Sequence, residues 1–177
     1  MNVKKDYFRT FCKISKAFGS TLKRDELLDL IVESAIETMD AKAASLFLED
    51  KEKEVFVSVC QKGLSENYLH SDPYRVRRMS EEMLKNGYIA FEDVANDERI
   101  LNRQAKIDEG IASILVVPVT VEAKMIGVLA LYTADARKFS EDEIEFLTAL
   151  AEQGGIAIQN SRLLRRITRN TYLFHDL

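Results

Sequence analysis

This chain carries two thiols and two imidazoles, the side chains most readily turned to covalent or transition-metal chemistry: Cys12, Cys60, His70 and His175. The cysteines stand far apart, without the close pairing of a redox couple or a metal site. His70 lies in a polar segment. A neutral imidazole there is a metal or haem ligand in principle, but a lone one in a polar loop is ordinarily solvated. His175 falls near the chain end. No nucleophile–base pair and no metal-ligand cluster is legible, which predicts a chain with no catalytic residues and no metal site. Tyr68, Tyr74, Arg75, Arg77 and Arg78 crowd one stretch and suit an anionic or aromatic ligand. A solvated loop with half-buried tyrosines is the competing reading. Arg162, Arg165, Arg166 and Arg169 form a basic stretch near the end. It lacks the aromatic interleaving of a nucleic-acid site and reads as a solvated helical face.

Composition narrows the setting. Hydrophobic residues make 46% and charged residues 31% of the 177, the balance of a globular protein with a core of its own. The formal net charge of −4 supplies no general attraction to nucleic acid or to an acidic membrane. No apolar run reaches the roughly 20 residues of a membrane span. The start, Met1 to Asp6, is no signal-peptide core. With only two cysteines, a reduced cytoplasmic location is the expectation.

The elements that must position any site follow from periodicity. Tyr7, Phe11, Ile14 and Phe18 predict a helix with one apolar seam, broken at Gly19-Ser20. Leu27, Leu28, Ile31, Val32, Ala35, Ile36 and Met39 predict a second amphipathic helix. Ala43–Glu49 and Glu54–Gln61 read as a hairpin around a polar turn. From Lys62 to Arg78 the chain reads as irregular. Ser80–Lys85 is a short helix ended by Asn86-Gly87, and Tyr88–Glu92 a short strand. Asn96 to Glu109 is polar, with a helical turn or two.

Two β-branched runs, Ile111–Val121 and Met125–Tyr132, then form a second hairpin. They are apolar throughout rather than alternating, so both faces of the sheet are expected to be covered. Ser140-Glu-Asp-Glu143 fits a capping box opening a long last helix. That helix carries two apolar seams: Ile144, Leu147, Ala151, Gly154 and Ile158, then Phe146, Leu150, Ala157, Leu164 and Ile167. One seam suits the sheet, the other a second copy of the chain. A homodimer packed through Phe11, Phe18, Leu150, Ala157, Leu164 and Ile167 is the expectation, against burial of both seams within one chain. The order of elements defines an α+β fold, with terminal helices on one face of an antiparallel sheet and loops on the other.

These residues, in this order, resemble the GAF domain family. The resemblance runs from about Arg24 to Leu164 and is carried by Glu26–Val32, Ala44–Asp50, Gly87–Asp93, Ile111–Val119, Ile126–Leu131 and Phe139–Leu147. It implies a PAS/profilin-like antiparallel sheet of about six strands and a ligand enclosed by loops and short helices over one face. It also implies a sensor that passes ligand binding through its terminal helices to a covalently linked output domain. The implied organisation is an N-terminal helix over 1–22, a sensor domain over 23–160 and a signalling helix over 161–177 that continues into another domain.

By this resemblance Ser45 and Phe47 face the ligand, Val57 and Val59 are their cross-strand neighbours, and Asp93 stands near it. Tyr68 lies in the predicted cover. A turn- or helix-capping carboxylate is the more common role for an Asp such as Asp93. Departures from the family pattern matter. Arg78-Met-Ser-Glu81 replaces a glycine-rich turn, so backbone N–H groups lose an easy approach to an anion. Asp108-Glu109 alone does not reproduce the cyclic-nucleotide signature, and Cys60 precedes Gln61 where bilin-binding members carry His. The alternatives are a free methionine-(R)-sulfoxide reductase, which needs more thiols around the pocket than Cys60, and a purely structural dimerisation module. No motif identifies the small molecule or a cofactor.

Overall fold

The computed structural model of the chain describes residues 5–20, 23–70 and 73–175. Five helices and five strands follow in the order α1 (Tyr7–Ser20), α2 (Arg24–Met39), β1 (Ala43–Asp50), β2 (Val55–Lys62), a 3-10 turn (Glu66–His70), α3 (Pro73–Asn86), β3 (Ile89–Phe91), α4 (Arg103–Asp108), β4 (Ser113–Val121), β5 (Lys124–Thr133) and α5 (Glu141–His175). The expected hairpins pair as β1 with β2 and β4 with β5. All pairings are antiparallel, in the order β2-β1-β5-β4-β3. The sheet has five strands rather than about six.

Alternation along the central strands sorts side chains to two faces. Leu46, Leu48, Leu115, Val117, Leu129 and Leu131 join α1, α2 and α5 in one core. Val116, Val128, Ala130 and Tyr132 point the other way, into a second cluster with Met83, Phe91, Val94 and Ile100. This is why β4 and β5 read as apolar throughout: each face has its own cover.

The capping box forms. Ser140 N–H donates to Glu143 Oε2 at 2.8 Å, and Glu143 N–H to Ser140 Oγ at 3.2 Å. Just upstream, Arg137 donates to the Met39 carbonyl at 2.9 Å and lies 3.2 Å from Glu143, which fixes the start of α5 beside the end of α2. Gly154 sits where an added Cβ would come within 2.6 Å of Ile31 Cδ1. That glycine in mid-helix lets α2 and α5 approach closely, which offsets its low helix propensity.

One element differs from the sequence reading. α3 begins at Pro73, well before Ser80. Proline breaks a helix interior but is tolerated in the first turn, where its missing N–H has no partner to lose. α5 is the long last helix expected, one unbroken run of 35 residues.

Its buried arc is also wider than a single seam. Leu150 is 0% exposed and Phe18 5%, both inside the helical core. They are corrected from a surface for a second chain to intramolecular core, because α5 packs on β4, α1 and α2 at once. Phe11 and Ala157 are half-buried, whereas Leu164 and Ile167 are exposed. His175 has its side chain outside the described residues. Among the described residues no helix is long and apolar enough to cross a membrane.

Candidate functional site

The second sheet face is the candidate. Ser45 is buried opposite Ala130 and Gln61, and Phe47 stands opposite Val128 and Ser58. Phe47 packs against the second cluster. Above them the cover is made of short pieces. Tyr68 meets Tyr132 edge-on, centroids 6.1 Å apart. Lys106 of α4 is buried. Its ammonium donates to the Leu101 carbonyl at 3.0 Å and lies 5.7 Å from the centre of the Tyr68 ring. Ser45, Phe47 and Tyr68 are thus brought to one side of the sheet.

Three polar clasps hold this cover. The Glu109 carboxylate accepts from Ser65 N–H and Ser65 Oγ, each at 2.6 Å, and joins α4 to the segment after β2. Arg99 donates to the Ala90 carbonyl at 3.0 Å and to Asp97 Oδ2 at 2.6 Å, while its guanidinium stacks 4.7 Å from the centre of Phe91. Ser113 Oγ donates to the Glu92 carbonyl at 2.7 Å.

The Ser65 bonds hold Glu109 below its ordinary pKa of 4.5. A depressed folded-state pKa means that the clasp is present above that ordinary value and is lost as pH falls through the lower folded one. The protection of the Ser65 and Tyr68 amides, corrected for intrinsic exchange, is therefore expected to fall as pH drops through the lowered Glu109 pKa. In Glu109→Gln the lower protection is expected already at neutral pH, and equal protection there in variant and parent would contradict the clasp.

Other expected site residues fall elsewhere. Val57 and Val59 are corrected. Val57 pairs with Leu48, and Val59 packs against the helical core, because the β1–β2 register shifts between Leu46 and Phe47. One unpaired residue in a ladder reverses which face the following side chains take. Asp93 caps its own turn, accepting from Ala95 N–H at 3.1 Å and Asn96 Nδ2 at 2.7 Å. The side chains of His70, Tyr74, Arg75, Arg77 and Arg78 lie outside the described residues. Lys106 escaped the sequence reading, since nothing in its neighbourhood distinguishes a buried lysine from a solvated one.

Cys60 belongs to the opposite side. It packs against the helical core, and its thiol donates to Asp29 Oδ1 at 3.5 Å. Burial, with the hydrogen bond to Asp29 and its charge, pushes the thiol up to about 11, so little reactive thiolate exists at neutral pH. Lys62 pairs with Asp29 at 3.4 Å and with Glu33. Among the described residues no three His, Cys, Asp or Glu side chains are grouped to hold a metal ion.

A sheet with long helices on one face and short covering pieces on the other is the architecture of a GAF domain. The GAF domain family model matches residues 21–159, and the chain belongs to that family. Similar solved structures include the GAF domain of a phosphoenolpyruvate-protein phosphotransferase from Coxiella burnetii, 19% identical with a TM-score of 0.78, the alignment covering 91% of this chain and 97% of that one. The corresponding domain from Acinetobacter is 21% identical, with a TM-score of 0.74 and the same coverage. A domain of a putative two-component sensor histidine kinase from Sinorhizobium meliloti is 24% identical, with a TM-score of 0.66, over 80% of this chain and 96% of that one. At these identities the likeness is one of fold. No curated protein gives a match.

Proposed function

We propose that this chain is a non-catalytic sensor and dimerisation module, which binds a small molecule on the second sheet face and transmits its presence through α5. The observation that supports this most is the division of the interior. One cluster is locked by three long helices, while the other is closed by α3, α4 and loops tied through a few polar clasps. Such a cover opens at lower cost than the helical layer, so a ligand there shifts it first. Ser45, Phe47 and Tyr68 are the contact residues of this reading, with Lys106 beside Tyr68.

A homodimer is the second half of the reading. Ala149, Gln153, Ile156, Asn160, Leu163 and Ile167 repeat at alternating four- and three-residue steps along α5, the spacing of a coiled-coil seam. Ile156 and Leu163 are each 46% exposed and Ile167 63%. Phe11 lines a neighbouring groove of about 580 Å³ between α1 and α5, with Phe8 at its rim. Phe18 and Ala157 border a smaller groove beside Ile156 and Asn160. The output domain to which α5 leads, and a cytoplasmic setting, belong to the same proposal.

The reductase alternative asks Cys60 to act from the wrong side of the sheet with a thiol held at about 11. The structural-module alternative draws on the same second cluster, where Met83, Phe91, Val94 and Ile100 already pack against the sheet.

Native mass spectrometry of protein purified from its own host separates sensor from structural module. A retained mass, lost when Ala130→Phe crowds the space beside Ser45 and Phe47, is the expected result. The bare chain mass in repeated preparations would leave the structural module standing and the sensor reading without support.

A further inference from the structure

The antiparallel packing of α2 on α5 has an electrostatic consequence at the far end of the helical layer. Arg137 reaches the end of α2 at Met39, and Ile31 rests on Gly154. About two turns back from Ile31 is Arg24, and about two turns on from Gly154 is Arg162, which brings Arg24 near enough for its charge to act on Arg162. Arg166 follows Arg162 by one turn on the same face.

Arg162 is half-buried, and among the described residues none of the three arginines takes part in an ion pair. Burial first, then the charges of Arg24 and Arg166, push the Arg162 pKa down from its ordinary value. Positive charges gathered this way, without a carboxylate between them, are individually costly to desolvate.

A groove of about 330 Å³ with Arg162 and Arg166 on its lining opens between α5 and the ends of the hairpins. Gln159, Arg162 and Arg166 form its helical wall, with Lys51 and Lys124 across from them. Glu49 and Glu122 are the two carboxylates on its lining. At the start of α2, Glu26 is drawn back by Lys23 at 3.1 Å, and Asp25 stands exposed on that turn. Cations outnumber carboxylates here although the chain as a whole carries −4.

We propose that Arg162 and Arg166, with Lys51 and Lys124 across the groove, form a binding site for a phosphate-bearing anion that ties the C-terminal half of α5 to the ends of the hairpins. Guanidinium groups match the fork geometry of phosphate oxygens, and the groove is wide enough for a diphosphate. The site lies on the helical side and is independent of any ligand on the second face. Because it grips α5 beyond the sheet, occupancy there would stiffen the segment through which a signal leaves the domain.

Pyrophosphate is the probe, titrated calorimetrically into the intact chain at low ionic strength, with sodium chloride at matched ionic strength as the control. Saturable binding is expected, and Arg162→Gln or Arg166→Gln is expected to weaken it about tenfold or more, the worth of one charge-assisted contact. A readout that a simple loss of structure would not give accompanies this. Without anion, Arg162→Gln is expected to melt at or above the temperature of the parent, since it removes a repelled, half-buried charge. Pyrophosphate is expected to raise the melting temperature of the parent and not that of the variant. Equal affinities in parent and variants, or a response that chloride reproduces, would overturn the site.

Discussion

Gly127→Ala is expected to destabilise this domain severely. Gly127 lies in β5 opposite Leu48 of β1, the pairing that joins the two hairpins into one sheet. A Cβ there would stand 2.2 Å from the Phe47 carbonyl oxygen and 2.8 Å from Leu48 Cδ2. The first contact is with backbone, so no rotamer relieves it and the strands must separate locally. That separation loosens both clusters together, because β1 and β5 carry side chains of each. The loss is expected to exceed about 3 kcal/mol, a large part of the roughly 5–15 kcal/mol that holds a domain folded. Urea unfolding measures it. Gly87→Ala is the matched control: its φ is +82°, but nothing lies within 4 Å of the added methyl, so a loss of about 1 kcal/mol is expected from backbone strain alone. Similar losses at the two positions would show that the sheet tolerates the intrusion.

The second large effect concerns association. The double variant Leu163→Asp, Ile167→Asp is expected to be monomeric at concentrations where the parent is a dimer, with an unchanged circular dichroism spectrum and melting of the monomer fold. Both side chains are exposed within one chain, so their replacement leaves the core untouched. Each is worth roughly 1.5–3 kcal/mol when fully buried, and two per copy shift the dissociation constant by a factor of about 100 or more. Asn160, on the same seam, sits where a polar residue in a coiled coil favours one register at some cost in stability. Asn160→Leu is therefore expected to strengthen association while admitting other oligomers. Sedimentation equilibrium decides the matter: a parent that is monomeric at tens of micromolar, like the double variant, would remove α5 as a dimer element.

The helices, both hairpins and the two-faced character of β4 and β5 were legible in the amino-acid order, because each rests on short-range chemistry. Ser140 and Glu143 bond each other's backbone across one turn, and that exchange needs no tertiary partner. Family membership was legible for the same reason, as an ordered series of such local patterns. The facing of Val57 and Val59 was not, since one irregularity between Leu46 and Phe47 reverses the strand, and no residue type announces it. The outward seam of α5 was legible only in part, at Leu164 and Ile167 but not at Leu150. Alternation at helical spacing marks apolar positions, but only the number of neighbours decides how wide an arc is buried; three partners took Phe146 and Leu150 inward and left Ile156, Leu163 and Ile167 outside. The burial of Lys106 and the charge of Arg24 acting on Arg162 are likewise products of packing, because charges distant in the chain acquire their energies only when helices bring them together.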